Sequence, residues 1–287
     1  MTASRTDSVF LKMMKKPVIY LTILISLTTG CNRSAKYLKI YSDVNVIPIQ
    51  AHRGGGLNMP ENTLETFTHT WNLSIIPEAD IRTTADDVII CMHDKTPARV
   101  APNAPDSLLH SDFAEMPLSV VKTLDVGSFR GGIKETVPTL KEVFQAMKGH
   151  PERLIYLDYK NIDLDRLANL VKKYGLQKQV IFTSKHHSLI KEWKKRIPES
   201  LTLIWIGGNT ENIEKTFKAL RKDNFEGITT LQIHYKKLKD EEGVYTPDQD
   251  YLKERLKEVS RKGILFQVLP WKISNKEVYF DLMKLGI

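Results

Sequence analysis

Cysteine is nearly absent. Cys31 and Cys91 are the only two in 287 residues, too few for a disulfide framework, and no Cys/His grouping has zinc-site spacing. Long apolar runs are missing too: the stretch from Val18 to Leu27 is about half the ~20 residues that cross a bilayer, which excludes a multi-span membrane protein. No Gly-x-Gly-x-x-Gly opens a helix, so a dinucleotide fold loses its best support. Neither charge dominates, with 42 Lys+Arg against 34 Asp+Glu and a net +8. Arg5, Lys12, Lys15 and Lys16 supply much of that surplus, and the rest is scattered, which argues against a nucleic-acid binder. With 41% apolar and 26% charged residues the chain is neither disordered nor fibrous.

What is present begins with an address. Lys12, Lys15 and Lys16 precede the apolar stretch, which ends in Thr28-Thr29-Gly30-Cys31, the layout of an export signal. The small residues before Cys31 resemble a bacterial lipobox, although Thr28 stands where that motif usually has Leu. The expectation is a signal peptide over residues 1–30, a lipidated Cys31 and a polar tether over 31–44. The protein would then be a cell-envelope lipoprotein held at a membrane. A plain signal peptide is the alternative, and Met13 or Met14 would open an equally good n-region. Cys91 lies in an apolar run and reads as a buried thiol.

The 257 residues from Cys31 onward match the ~250 typical of a (β/α)8 barrel. Strands are expected at Val46–Ala51, Ile75–Ile81, Val88–His93, Leu154–Leu157, Val180–Thr183, Leu201–Ile206, Gly227–Ile233 and Leu265–Leu269. Helical spacing falls at Glu61–Leu73, Leu118–Leu124, Leu140–Met147, Leu164–Tyr174, Ser188–Arg196, Ile213–Lys222 and Tyr251–Lys262. Phe280–Leu285 is an apolar close. Arg99–Pro117 lacks periodicity and reads as a long surface excursion. Alternation of β and α across residues 45–287 predicts one domain around a parallel sheet, a TIM barrel in preference to an open sheet.

Polar residues gather where the strands end. His52 and Arg53 follow the first strand, and His93 and Asp94 end the third. Glu78 and Asp80 lie two apart in the second strand and so share a face, as do Asp158 and Lys160 at the end of the fourth. Charges within apolar strands are costly unless paired or metal-bound. Glu78, Asp80 and Asp158 supply hard oxygen ligands for one divalent cation, Mg²⁺ or Ca²⁺. Two histidines suit proton transfer near neutrality, and Arg53 and Lys160 add positive charge for phosphate oxygens. Each residue has an ordinary structural explanation: a core histidine, a rim ion pair, a turn Asp, helix N-terminal dressing for Glu61 and Asn62. Their joint recurrence at successive strand ends favours phosphoryl chemistry.

His52-Arg53-Gly54, Pro60-Glu61-Asn62-Thr63, Glu78-Ala79-Asp80 and His93-Asp94 resemble, in order and spacing, the signature of the glycerophosphodiester phosphodiesterases. Leu124-Asp125-Val126-Gly127-Ser128 and the stretch from Val137 to Val143 are similar to the next block of that family. Asp158-Tyr159-Lys160 stands where it has Glu-x-Lys, and Trp271 where it has a Trp near the last strand. The resemblance runs from about Ile47 to Trp271. It implies a (β/α)8 TIM barrel with a small insertion after the third strand, to which Arg99–Pro117 contributes. It also implies a metal on Glu78, Asp80 and Asp158, with His52 and His93 as the acid/base pair. Arg53, Lys160 and Trp271 would contact substrate, and Glu61 and Asn62 would order the site from behind. The implied reaction hydrolyses a glycerophosphodiester to glycerol 3-phosphate and an alcohol. The sequence departs at Asp158, shorter than the usual Glu by a methylene, and at Lys272-Ile273-Ser274-Asn275 after Trp271. A lipid-facing phospholipase C- or D-like enzyme and a non-catalytic binding lipoprotein are the alternatives.

Overall fold

The computed structural model describes residues 39–55, 59–130, 132–238 and 243–287. The expected signal peptide, Cys31 and most of the tether lie outside the described residues. The end of the tether does not: residues 39–43 are helical, and the Tyr41 ring is buried with Val46 against Ile76, Tyr156, Ile181 and Leu203. The packed domain therefore begins a few residues before position 45, because the aromatic ring fills space beneath the sheet.

Among the described residues nine strands form one sheet: β1 Gln50–Ala51, β2 Ile76–Thr83, β3 Ile89–Cys91, β4 Ile155–Asn161, β5 Val180–Ser184, β6 Leu201–Ile206, β7 Thr230–Lys237, β8 Tyr245–Thr246 and β9 Leu265–Trp271. Seven run parallel in the order β1-β2-β4-β5-β6-β7-β9. Helices α1 Leu64–Asn72, α2 Leu140–Met147, α3 Leu164–Tyr174, α4 His187–Arg196, α5 Thr210–Lys222, α6 Gln249–Ser260 and α7 Lys276–Lys284 accompany them. Side chains of Thr63, Thr139, Asp163, Asn209, Asp248 and Asn275 cap all of these except α4, each cap adding about 1 kcal/mol. The result is an α/β barrel of the TIM type. Among the described residues no ladder joins β9 to β1. Side chains span that gap: Gln232 on β7 donates to Gln50 Oε1 on β1 at 2.5 Å and to Gln267 Oε1 on β9 at 3.3 Å, and His52 sits edge-on to Trp271 at 6.0 Å.

Two expectations change. The third strand is not a parallel barrel stave: β3 pairs antiparallel with β2, because the tight turn from Thr84 to Val88 permits only a hairpin. It descends from the rim, so Met92 donates to the Asp80 carbonyl and His93 arrives at carboxylate depth. The stretch from Arg99 to Pro117 is not a structureless excursion either. It holds short helical turns and a core of its own, in which Val100, Phe113 and Met116 pack on Ile90, Met92 and Val121.

The alternation of side chains sorts each strand. Outward residues such as Ala79, Leu157, Phe182, Ile204 and Leu231 meet the helices in the main core. Inward residues are graded in height. Ile76, Tyr156, Ile181, Leu201, Leu203 and Leu265 make an apolar floor. Gln50, Gln232, Gln267 and the Tyr156 hydroxyl bond one another above it. Over these stands the charged and aromatic mouth.

Candidate active site

Register sets the carboxylates side by side, since Asp80 on β2 is paired with Asp158 on β4 and Glu78 lies one inward position below. Oxygens of Glu78, Asp80 and Asp158 lie within 4.8 Å of one another, and all three residues are buried. Burial and the charges of Asp80 and Asp158 drive the Glu78 carboxyl well above its ordinary pKa. Asp158 is also raised, by burial, with Lys160 only partly opposing. In Asp80 burial is outweighed by Lys160, His93 and the bond from Asn62, which hold it low. Lys160 Nζ lies 2.8 Å from Asp80 Oδ1 and 2.6 Å from Asp158 Oδ2. One ammonium does not balance three buried carboxylates, and a surplus of hard oxygen donors fits a divalent cation.

The loop after β1 wraps this cluster. Glu78 Oε2 accepts from the Arg53 backbone N–H at 2.7 Å. Asn62 grips Asp80 twice: its Nδ2 donates to Oδ2, and its Oδ1 accepts from the Asp80 N–H, both at 2.9 Å. Arg53 and Asn62 both adopt left-handed backbone, with φ of 53° and 56°, a strain of the kind held at functional sites. Pro60-Glu61 consequently does not start a helix; α1 begins at Leu64, because Glu61 and Asn62 are engaged elsewhere. Glu61 accepts from Arg53 NH1 at 3.0 Å and from both terminal nitrogens of Arg99 at 2.8 and 2.6 Å. Arg53 Nε is buried 3.8 Å from Asp80 Oδ2 and has no hydrogen-bond partner among the described residues.

The two histidines differ. Burial, reinforced by the Arg53 charge, lowers His52 to about 4, so it is a free base at neutral pH. His93 Nδ1 lies 2.5 Å from Asp94 Oδ1, and Asp94 Oδ2 accepts from Arg99 Nε at 2.6 Å. Bonds from His93 and Arg99 overcome burial and hold Asp94 below the usual carboxylate range. Arg82 donates to the carbonyls of Met92 and His93 and fixes that segment. Across the mouth Trp205 donates to Asp158 Oδ1 at 3.0 Å and stacks on His234, which stacks on Trp271.

His52, Arg53, Glu61, Asn62, Glu78, Asp80, His93, Asp158, Lys160 and Trp271 are thus brought together at one end of the barrel. Cys31 lies outside the described residues. Lys160, expected on phosphate, is bonded to two carboxylates. Four participants escaped the sequence reading: Asp94 as the partner of His93, Arg99, Trp205 and His234. Strand parity was the available signal for the last two, since Trp205 shares a face with Leu201 and Leu203, and His234 with Thr230 and Gln232. Nothing in the pattern around Arg99 marks it.

Comparison with known proteins agrees with this geometry. Residues 52–287 match the model of the glycerophosphoryl diester phosphodiesterase family. A glycerophosphodiester phosphodiesterase of Caldanaerobacter subterraneus subsp. tengcongensis is 25% identical over 251 residues, 83% of this chain and 90% of that one. Human lysophospholipase D GDPD3 is 31% identical over 159 residues, 53% of this chain and 49% of its own length. An Oleispira antarctica phosphodiesterase, solved with the product sn-glycerol-3-phosphate, superposes with a TM-score of 0.61 at 20% identity, covering 86% of this chain and 92% of that one.

Proposed function

The chain belongs to the glycerophosphoryl diester phosphodiesterase family, and from that premise we propose that its phosphoric diester hydrolysis runs by proton transfer through His52 and His93. The observation that carries this reading is the convergence of Glu78, Asp80 and Asp158 within 4.8 Å, flanked by both imidazoles. Those carboxylates would hold one Mg²⁺ or Ca²⁺, which when bound lowers the pKa of a neighbouring hydroxyl and offsets charge on phosphoryl oxygens.

The residues of the chain do the rest. Arg53, held by Glu61 at 3.0 Å and with its Nε 3.8 Å from Asp80, brings guanidinium charge beside the carboxylates to meet a phosphoryl oxygen. His52, unprotonated at neutral pH, takes the proton of the glycerol hydroxyl beside the diester as that oxygen attacks phosphorus. Asp94 pins Nδ1 of His93 and leaves Nε2 to protonate the departing alcohol. A cyclic phosphate then opens with water, the histidines exchanging roles, to give glycerol 3-phosphate. Lys160 keeps Asp80 and Asp158 from repelling each other while the site fills.

The test is release of glycerol 3-phosphate from glycerophosphocholine and glycerophosphoethanolamine with Mg²⁺ or Ca²⁺, abolished by EDTA and by His52→Ala. Folded, cation-loaded protein that turns over no headgroup refutes the reading. The partial match to a lysophospholipase D supports a second reading, attack on lysolipids, and a lysophosphatidylcholine arm in the same assay decides between them. Export and anchoring through Cys31 are also our proposal, supported by the basic and apolar pattern from Lys12 to Cys31. Radiolabelled palmitate incorporation that persists in Cys31→Ser would exclude it.

A further inference from the structure

Facing the carboxylates, three rings on neighbouring strands stack face to face. Trp205 and His234 lie 5.1 Å apart at 9°, and His234 and Trp271 lie 5.2 Å apart at 8°. His234 is only 9% exposed, yet it makes no hydrogen bond or ion pair with any described residue. Its nitrogens are not sealed in, unlike the unpartnered Thr230 hydroxyl lower in the same strand. The Nδ1 edge lies against Gly207, where an added Cβ would approach to 3.1 Å, so a side chain at 207 would crowd the imidazole. Burial, then Lys236, then His52 bring its pKa to about 4, and a neutral imidazole carries one donor and one acceptor, the complement of a hydroxyl.

The stack also determines what this wall does not accept. His234 covers one face of each indole, Lys185 Nζ lies 5.9 Å from the Trp205 centroid, and His52 meets Trp271 edge-on. The inner faces of both indoles are therefore taken up by His234 and are not available to a quaternary ammonium. His234 lies on the side of His52, with which it interacts electrostatically, and His93 comes from the opposite wall. With His52 serving the attacking glycerol oxygen, the ligand portion nearest His234 is glycerol and not the leaving alcohol.

We propose that His234 is a specificity-determining residue that hydrogen-bonds the free terminal hydroxyl of the glycerol, so that the enzyme reads fully deacylated diesters and discriminates against lysophospholipids acylated at that oxygen. This deepens the diesterase reading and rests on it. An acyl ester removes the hydroxyl proton and leaves the buried imidazole unpaired, the situation in which a polar site rejects an analogue strongly.

The experiment compares glycerophosphocholine with its analogue lacking the terminal hydroxyl, the phosphocholine diester of propane-1,2-diol, and with lysophosphatidylcholine. Wild-type kcat/KM should favour glycerophosphocholine over both by about 10- to 100-fold. In His234→Phe, which keeps a flat ring between the indoles, the two soluble substrates should converge, mainly through KM; His234→Gln should restore part of the gap. Calorimetry of glycerol 3-phosphate and its deoxy analogue gives the same comparison without turnover. Equal losses on both substrates, or an undiminished gap in His234→Phe, would overturn the assignment of His234 while leaving the diesterase reading intact. Wild-type protein inert on every diester defeats that reading and this one together.

Discussion

The floor and the mouth of this barrel are built from the same strands and do opposite work. On β2, Ile76 is floor and Asp80 is mouth; on β6, Leu203 is floor and Trp205 is mouth. One inward-facing step on β6 and two on β2, about 6.6 Å of strand each, separate a residue that is satisfied by burial from one that is bound to a charge. The floor gains stability by removing apolar area from water, at roughly 25 cal/mol per Å². The mouth gathers three carboxylates that repel, a strained Arg53 and Asn62, and an orphaned guanidinium nitrogen. The lesson is that cost concentrated at one end of a lumen is tolerable because the other end is closed and apolar.

The sharpest way to break the contrast is to substitute one residue on each side. His52→Ala, at the mouth, should lower kcat/KM for glycerophosphocholine by about 10²–10⁴ and leave the thermal midpoint within a few degrees of wild type. Leu203→Ala, at the floor and fully buried, should do the reverse. It should destabilise by about 2–5 kcal/mol in a urea titration and leave kcat unchanged at a temperature where the variant is folded. If Leu203→Ala lowered kcat tenfold at full occupancy of the folded state, the two halves would not be separable.

Much of this contrast was legible beforehand. The barrel, its βα rhythm and ten of the site residues follow from period-two placement of charge in apolar strands and from the family signature. His93 was found for an incomplete reason: a parallel third strand was expected, whereas the tight turn from Thr84 to Val88 forces a hairpin that brings His93 down beside Asp80. The beginning of α1 was misplaced because Pro and Glu are ordinary helix openers, and only the tertiary bonds from Glu61 to Arg99 and Asn62 to Asp80 show why they are used otherwise. The insertion looked aperiodic since its turns are too short to display a helical repeat, although Phe113 and Met116 bury fully enough to make a core. Trp205 and His234 do not stand out in the sequence, because a single strand does not reveal which rings on three strands will stack.

The cation gives a smaller, sharper comparison. Without it, the raised pKa of Glu78 means that above the ordinary carboxylate pKa the folded state holds a proton the unfolded state has released. Its stability is then fully present below the ordinary carboxylate pKa and is lost as pH rises toward the raised value. Adding Mg²⁺ or Ca²⁺ at 100 times its dissociation constant should stabilise by about 2.7 kcal/mol, read as an upward shift in a thermal melt at pH 7. Glu78→Gln should melt higher than wild type in EDTA and respond less to the cation. A cation response unchanged by Glu78→Gln would remove that residue from the ligand set.

The least effect concerns protons at the mouth. His52 and His234 are both lowered to about 4, against about 6.5 in an unfolded chain. Between those values the unfolded state binds more protons, so stability rises with pH from about 4 to 6.5 and levels off above it. His234→Phe should flatten part of that slope in melts recorded across the interval, while a floor change such as Leu203→Ala should lower the whole curve in parallel. The rate should show the same free base: kcat/KM of cation-loaded enzyme should hold its acid limb until the pH nears 4. A limb centred near 6.5 would mean that His52 is solvated and ordinary, and the division between floor and mouth would then lie higher in the barrel than the burial of that ring places it.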